Sequence, residues 1–397
     1  MSPSLRFPEF TGEWKEERLS EIADIYKGAG ISKDQLSDNG EPCILYGELY
    51  TKYKTETITE VISRTDIDNT KLVRSKANDV IIPCSGETAE DIATARCVIK
   101  DGILLGGDLN IIRLHNYDGS FVSYQLNGKR KYDIAKVAQG VSVVHLYGEH
   151  LKGVKTVNPC LAEQKKISRF LSLLDERIAV QNRLIDRLQS LMIGLNNSLY
   201  EQYGNDITTS FMELGYSYSG LSGKSAKDFG SGKPFITYLN VYSNIIVDET
   251  DYQYVRINDG EKQNIVRTGD VLFTLSSETP EEVGIGSVYL GEKEVYLNSF
   301  CFGIHIERNQ LAYSPYLSYY VTSTAFRKFI YPFAQGSTRF NLCKADFEKA
   351  SIKLPSLDNQ KRISAMLDCI AEKIRAEKAI LEYYNIQRQY LLRQMFI

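Results

Sequence analysis

The strongest pattern along the chain is a seven-residue spacing of apolar positions. It runs through Ile167, Leu171, Leu174, Ile178, Ile185, Leu188, Met192, Leu195 and Leu199. Apart from one skipped position, Gln181, the steps alternate between four and three residues, which predicts a heptad seam on a long helix. The same seam recurs as Ile363, Leu367, Ile370, Ile374, Leu381, Tyr384, Arg388, Leu391 and Met395, offset by 363 − 167 = 196 residues with one polar break at Arg388. Because 196 is 28 heptads, the two seams are in phase. Gln181 and its counterpart Glu377 are polar seam positions near the middle of each run. In an antiparallel pair about a pseudo-twofold they would approach near the crossing, where a polar residue fixes register at a cost in stability. Pro159 and Pro355 stand just ahead of the two runs, where proline favours a helix start. At ~1.5 Å per residue, Leu161 to Tyr203 would span roughly 60 Å.

The helices close a longer repeat. Ala138-Gln139-Gly140 matches Ala334-Gln335-Gly336 at 334 − 138 = 196, and the offset holds for Pro159 with Pro355, Leu161 with Leu357, and Gln164-Lys165 with Gln360-Lys361. Upstream the offset drifts, to 234 − 42 = 192 at Pro42 and Pro234, 270 − 79 = 191 at Asp79 and Asp270, and 297 − 109 = 188 at Leu109 and Leu297. Drift of this kind marks small insertions in surface loops. Residues 14–150 and 208–345 read as short β segments, including 43–46, 80–82, 110–114, 235–238, 270–274 and 302–306, separated by Gly, Asp and Asn. One helix per module is predicted, near 117–137 and 314–331. The expected fold is α+β: two globular modules, 1–157 and 205–353, joined by two long antiparallel coiled-coil helices, 158–204 and 354–397, with pseudo-twofold symmetry.

Polar loops recur at matching places. Ser85-Gly86-Glu87-Thr88 corresponds to Ser276-Ser277-Glu278-Thr279, and Gln139-Gly140-Val141-Ser142 to Gln335-Gly336-Ser337-Thr338-Arg339. Hydroxyl and amide side chains near Arg or Asn suit contacts to phosphates and base edges. Ordinary turns would explain any one loop; the recurrence raises the functional reading. In the second module Tyr216, Tyr218, Tyr238 and Tyr242 interleave with Lys224, Lys227 and Lys233, a pattern able to stack bases and bind a nucleic-acid backbone, or simply half-buried sheet positions. The candidate contact residues are Lys27, Lys33, Tyr46, Ser85, Gly86, Thr88, Gln139 and Ser142 in the first module. In the second they are Tyr216, Tyr218, Lys224, Tyr238, Asn240, Ser276, Ser277, Gln335, Ser337, Thr338, Arg339 and Asn341.

Composition narrows the function without naming it. The net charge of −3 argues against nonspecific coating of nucleic acid but leaves room for a local basic face. Seven cysteines without a CxxC pair read as buried apolar residues, and no catalytic or metal site is expected. Gly220-Leu221-Ser222-Gly223-Lys224-Ser225 fails as a phosphate loop because Tyr218 holds the first glycine position, and Lys33 breaks a dinucleotide pattern begun at Gly28. The four histidines have no ligand spacing, and neither a Gly-x-Ser-x-Gly turn nor an adenine-methylation motif of Asn/Asp-Pro-Pro-Tyr/Phe type occurs. No apolar run reaches the ~20 residues of a membrane helix and no signal peptide opens the chain, so a cytoplasmic location is expected.

Pro159-Cys160-Leu161-Ala162-Glu163-Gln164-Lys165-Lys166-Ile167 and Pro355-Ser356-Leu357-Asp358-Asn359-Gln360-Lys361-Arg362-Ile363 resemble the P-x-L-x-E-Q-x-x-I start of the conserved helices in specificity subunits of Type I restriction-modification systems. Asn359 departs from the usual glutamate. The Ala-Gln-Gly pair and the opening Phe7-Pro8-Glu9-Phe10 with Gly12-Glu13-Trp14 are similar to the same family. The resemblance implies a non-catalytic subunit whose two modules are target recognition domains, each reading one half of a split, asymmetric site on double-stranded DNA. It implies helices that act as a spacer and dock two modification (methyltransferase) subunits, and a complex that recruits restriction and translocase subunits. S-adenosylmethionine, ATP and Mg²⁺ would belong to those partners, with no cofactor in this chain. A standalone methyltransferase or nuclease with fused recognition domains, and a coiled-coil scaffold without a DNA role, are the alternatives.

Overall fold

The computed structural model describes residues 2–68, 70–140 and 143–397. Two helices dominate, Leu161–Tyr203 and Leu357–Gln394. Neither contains proline, and the single glycine is Gly194, so nothing in the backbone interrupts them. The chain forms two compact units, and each helix is shared between them: one unit runs to Arg183 and adds Ala379–Ile397, and the other is Leu184–Lys378.

In the first unit a five-stranded sheet has the order Ala23–Lys27, Leu109–Leu114, Asp79–Pro83, Arg96–Val98, Thr57–Ile58. The second unit repeats the order in four strands: Gly215–Ser219, Cys301–Ile306, Val271–Thr274, Gly286–Val288. The matching aspartates Asp79 and Asp270 sit at the same place. Each carboxylate accepts the backbone N–H three residues earlier, from Lys76 at 2.7 Å and Arg267 at 2.8 Å. Each also takes a basic group from the neighbouring strand, Arg113 at 2.8 Å and His305 at 2.7 Å. The matched residue is therefore a turn-and-strand fastener with an exchangeable partner.

Each predicted module helix is broken in two. Asp118 caps Gly119–Asn127 by accepting Phe121 N–H, and Gly128 ends it before Lys131–Val137 begins. Ser314–Tyr320 likewise gives way to Thr324–Ile330, which Ser323 caps by accepting Phe326 N–H. Capping residues inside an apolar run outweigh its helical period. The predicted strand at 235–238 also ends early, at Ile236, because Thr237 caps the helix Tyr238–Ser243.

Both motif glutamines do one job. Gln164 donates to the Pro159 carbonyl and accepts Asp118 N–H, while Gln360 donates to the Pro355 carbonyl and accepts Tyr313 N–H. Each ties a long-helix start to the loop that opens a module helix. The motif's glutamate differs for a local reason. Glu163 receives Arg6 in a two-pronged pair and Trp14 Nε1 at 3.3 Å, so the opening segment anchors on it. At the second copy Asn359 instead faces Asp206, whose carboxylate also accepts Ser356 N–H.

The seams are buried where they meet modules. Ile167, Leu171 and Leu174 join Trp14, Phe121 and Tyr124 in one core, together with Leu391 and Met395. In the other unit Ile363 and Leu367 join Phe211, Tyr316 and Tyr320, with Met192, Leu195 and Leu199 packed against them. Ile185 and Ile374 are buried, and Ile178, Leu188, Ile370, Leu381 and Tyr384 are half-buried. The polar seam positions Gln181 and Glu377 are both buried.

Arg388, the polar break, has a clear role. Its guanidinium donates to Asp175 at 2.6 Å and to Glu56 at 2.5 Å, joining both long helices to a module loop within the first unit. Tyr124 Oη donates to Asp175 at 2.5 Å, and burial raises the pKa of that carboxyl. The position 196 residues earlier is Met192, so only the first unit carries this charged fastening. Arg388→Met should cost about 3 kcal/mol or more in chemical denaturation, because two buried carboxylates lose their principal cation. Adding Glu56→Gln and Asp175→Asn to the same chain should recover a large part of that loss.

Candidate nucleic-acid interface

Within each module the two recurring polar loops meet, so that one device is built twice. In the first module Gln139 and His145 exchange backbone hydrogen bonds of 2.9 and 2.7 Å, and Ser85 pairs with His145 on the other side. In the second module Gln335 pairs with Asn341, and Ser276 pairs with Asn341 on the other side. Since 341 − 145 = 196, the two hairpins match residue for residue. Each turns at a glycine of positive φ, Gly140 at +123° and Gly336 at +146°. A Cβ there would lie 2.1 Å from the carbonyl oxygen of Val143 or Arg339, so only glycine fits.

Among the described residues, the exposed side chains of these hairpins are Gln139, Val143 and His145 in one module, and Gln335, Ser337, Thr338, Arg339 and Asn341 in the other. Ser142 lies outside the described residues. Ser85, Ser276 and Ser277 are buried ladder positions, and Ser277 Oγ donates to Glu282 at 3.1 Å. Gly86 is half-buried, and Thr88 caps the short helix Ala89–Ile92 by accepting Asp91 N–H. Tyr238 braces the second hairpin, its hydroxyl donating to the Ser276 carbonyl at 2.9 Å.

Other candidates are engaged elsewhere. Lys224 donates to the Arg256 carbonyl and pairs with Glu261, whose carboxyl that ammonium holds down to about 2. Tyr218 is buried, donates to Asp270 at 2.6 Å and stacks on His305. Tyr216 is exposed and its hydroxyl accepts Arg267 at 3.2 Å. Asn240 is buried and donates to the carbonyls of Asp248 and Asp251, shaping a turn. In the first module Lys33 and Tyr46 line a separate cleft of about 690 Å³, and Lys27 lies 3.8 Å from Asp108, another residue of that cleft.

Three residues of the hairpin surroundings were not among the candidates. His145 holds the place of Asn341, a match that the constant offset of 196 already contains. Tyr147 stacks on His145 with ring centres 6.2 Å apart. Phe300 lies under Arg339 at 5.9 Å, and no sequence pattern joins those two.

The family profile described as Type I restriction modification DNA specificity domain matches residues 11–190 and 221–383. The chain belongs to that family. It is 21% identical over 403 aligned residues to the Type I restriction enzyme MjaVIII specificity subunit of Methanocaldococcus jannaschii, covering 95% of this chain and 91% of that one. The crystal structure of a Type I restriction-modification S subunit from M. genitalium superposes with a TM-score of 0.61 at 17% identity, covering 100% of this chain and 99% of that one. A chain from a structure concerned with complex assembly and conformational transition of the type I R-M system gives 0.59 at 18% identity, covering 98% of each. The last two establish the shared fold.

Gly336→Ala forces an L-residue into a left-handed, crowded turn, at a local cost of about 1–3 kcal/mol. Hydrogen exchange should then show faster exchange at the Gln335 and Asn341 amides while the sheet amides of Val271–Thr274 stay protected.

Proposed function

We propose that this chain is the DNA sequence-specificity subunit of a Type I restriction-modification complex and is itself non-catalytic. The observation that carries the reading is the duplicated hairpin: one backbone, anchored on one type of sheet, holds out different side chains in the two modules. Two such readers suit an asymmetric, bipartite site on double-stranded DNA, each entering a groove at its own half-site. The domain limits 1–157 and 205–353 for the readers, with 158–204 and 354–397 for the helices, belong to the same proposal. The helices set the separation of the half-sites, in steps related to the ~34 Å turn of the duplex. Gln181 and Glu377 fix their register and orientation.

The outward faces of the helices support a docking role. Phe170, Leu173, Val180, Leu184 and Leu191 are exposed on the first helix, and Met366, Ile380, Tyr383 and Tyr390 on the second. Both Met366 and Ile380 stand 196 residues after an exposed apolar counterpart, 366 − 170 and 380 − 184, so a second seam repeats in step with the buried one. Helices of two methyltransferase subunits are the proposed occupants, one per repeat. Restriction and translocase subunits complete the assembly, and S-adenosylmethionine, ATP and Mg²⁺ are bound by these partners. No helix of the described residues is long and apolar enough to cross a membrane, and we place the complex in the cytoplasm with the DNA it reads.

Purified alone, the chain should transfer no methyl group from S-adenosylmethionine to DNA; turnover in that assay sinks the subunit reading. Inserting four residues between Ile178 and Leu195 should change the spacer of the site that the full complex methylates, as read by methylome sequencing. An unchanged spacer would remove the helices as the ruler.

A further inference from the structure

The two hairpins differ in a way that bears on which bases are read, an inference that rests on the chain being a DNA reader. In the second module the backbone of Asn341 is held on both sides, by Ser276 and by Gln335. Its amide side chain is exposed and has no hydrogen-bond partner among the described residues. Arg339 is likewise exposed and forms no ion pair or hydrogen bond among the described residues. Its guanidinium instead lies over the ring of Phe300, which is 55% exposed. The Phe300 carbonyl accepts Leu275 N–H at 2.9 Å, so the backbone that carries the ring is fastened beside the strand that carries Ser276. An aromatic platform limits the freedom of the guanidinium while leaving its N–H groups unspent.

An unpaired carboxamide on the ladder and an unpaired guanidinium in the turn just before it are the two side chains with two-pronged partners in the major groove. Arginine matches O6 and N7 of guanine, and asparagine matches N6 and N7 of adenine. We propose that Arg339 reads a guanine and Asn341 an adenine within one half-site, with Phe300 as the platform that aims Arg339. The first module carries Val143 and His145 at the matching positions, 339 − 196 and 341 − 196. Neither can form those two contacts, so the other half-site is read differently. Gln139 and Gln335, equal in both modules, supply contacts that do not distinguish the half-sites.

The test uses the full complex, co-expressed with its methyltransferase partners, with methylation mapped across a genome. The unaltered complex should show a guanine and an adenine in one half-site. Arg339→Ala should make the guanine position degenerate, with discrimination falling about tenfold or more, while the other half-site is unchanged. Arg339→Lys keeps the charge but not the fork, so binding should persist while guanine preference is lost. Asn341→His, which installs the first module's residue, should move the adenine preference alone. These side chains are exposed, and an unchanged melting temperature for each variant separates specificity from folding. Retention of the guanine by Arg339→Ala, or a change falling in the opposite half-site, overturns the assignment. Absence of any bipartite site with the unaltered complex would instead overturn the reader function itself.

Discussion

A helix of this length with a continuous apolar stripe has to bury that stripe, and the architecture of both units follows from how it does so. Neither module closes its core alone. The first seals Phe121 and Tyr124 with Ile167 and Leu171 from the start of one helix and Leu391 and Met395 from the end of the other. The second seals Phe211 and Tyr320 with Ile363 and Leu367, and Met192 and Leu195 lie against them. Each buried Leu or Ile contributes roughly 1.5–3 kcal/mol relative to exposure. Seam and module therefore fold as one cooperative body, and the heptad phase cannot drift in either repeat without opening a core. The exposed hairpin side chains carry no such burden, and Val143 and His145 differ from Arg339 and Asn341.

Much of this was legible in the chain. Heptad spacing and an offset of 28 heptads located both long helices, since periodicity over several turns is a strong signal. The paired loops were legible as pairs, because Gln139 with Gln335 and Ser85 with Ser276 keep their order. What each side chain does was less so. Lys224 reads as a free cation until Glu261, 37 residues later, turns out to be its partner. Asn240 reads as a contact residue, yet it shapes a turn through Asp248 and Asp251. Local pattern carries no record of such long-range pairings. The split of each module helix lies between these cases: Asp118, Gly128 and Ser323 are local capping residues set within an apolar run that spans both pieces.

The departures from perfect repetition are informative in themselves. Glu163 becomes Asn359 because only the first copy has an opening segment with Arg6 and Trp14 to anchor. Arg388 replaces an apolar seam residue because only the first module presents Glu56 to it. Both exceptions join the first module to its helices with charge, where the second relies on contacts such as Tyr319 with Asp368 and Asn196 with the Tyr319 carbonyl. The repeat is thus one of backbone plan and apolar register, with these two ionic fastenings confined to the first unit.

The positive-φ glycines Gly140 and Gly336 have a wider consequence. They place the cost of the hairpin's shape on one residue and on backbone hydrogen bonds, so the side chains of Arg339 and Asn341 have no hydrogen-bonding duty in the fold among the described residues. Substitutions at exposed sites of that kind usually change stability by less than about 0.5 kcal/mol. With Arg339 and Asn341 as the proposed base readers, a new preference can arise without passing through an unstable intermediate. Stability and specificity become separately adjustable, and a lineage carrying this chain can explore new recognition sequences at little risk to the protein.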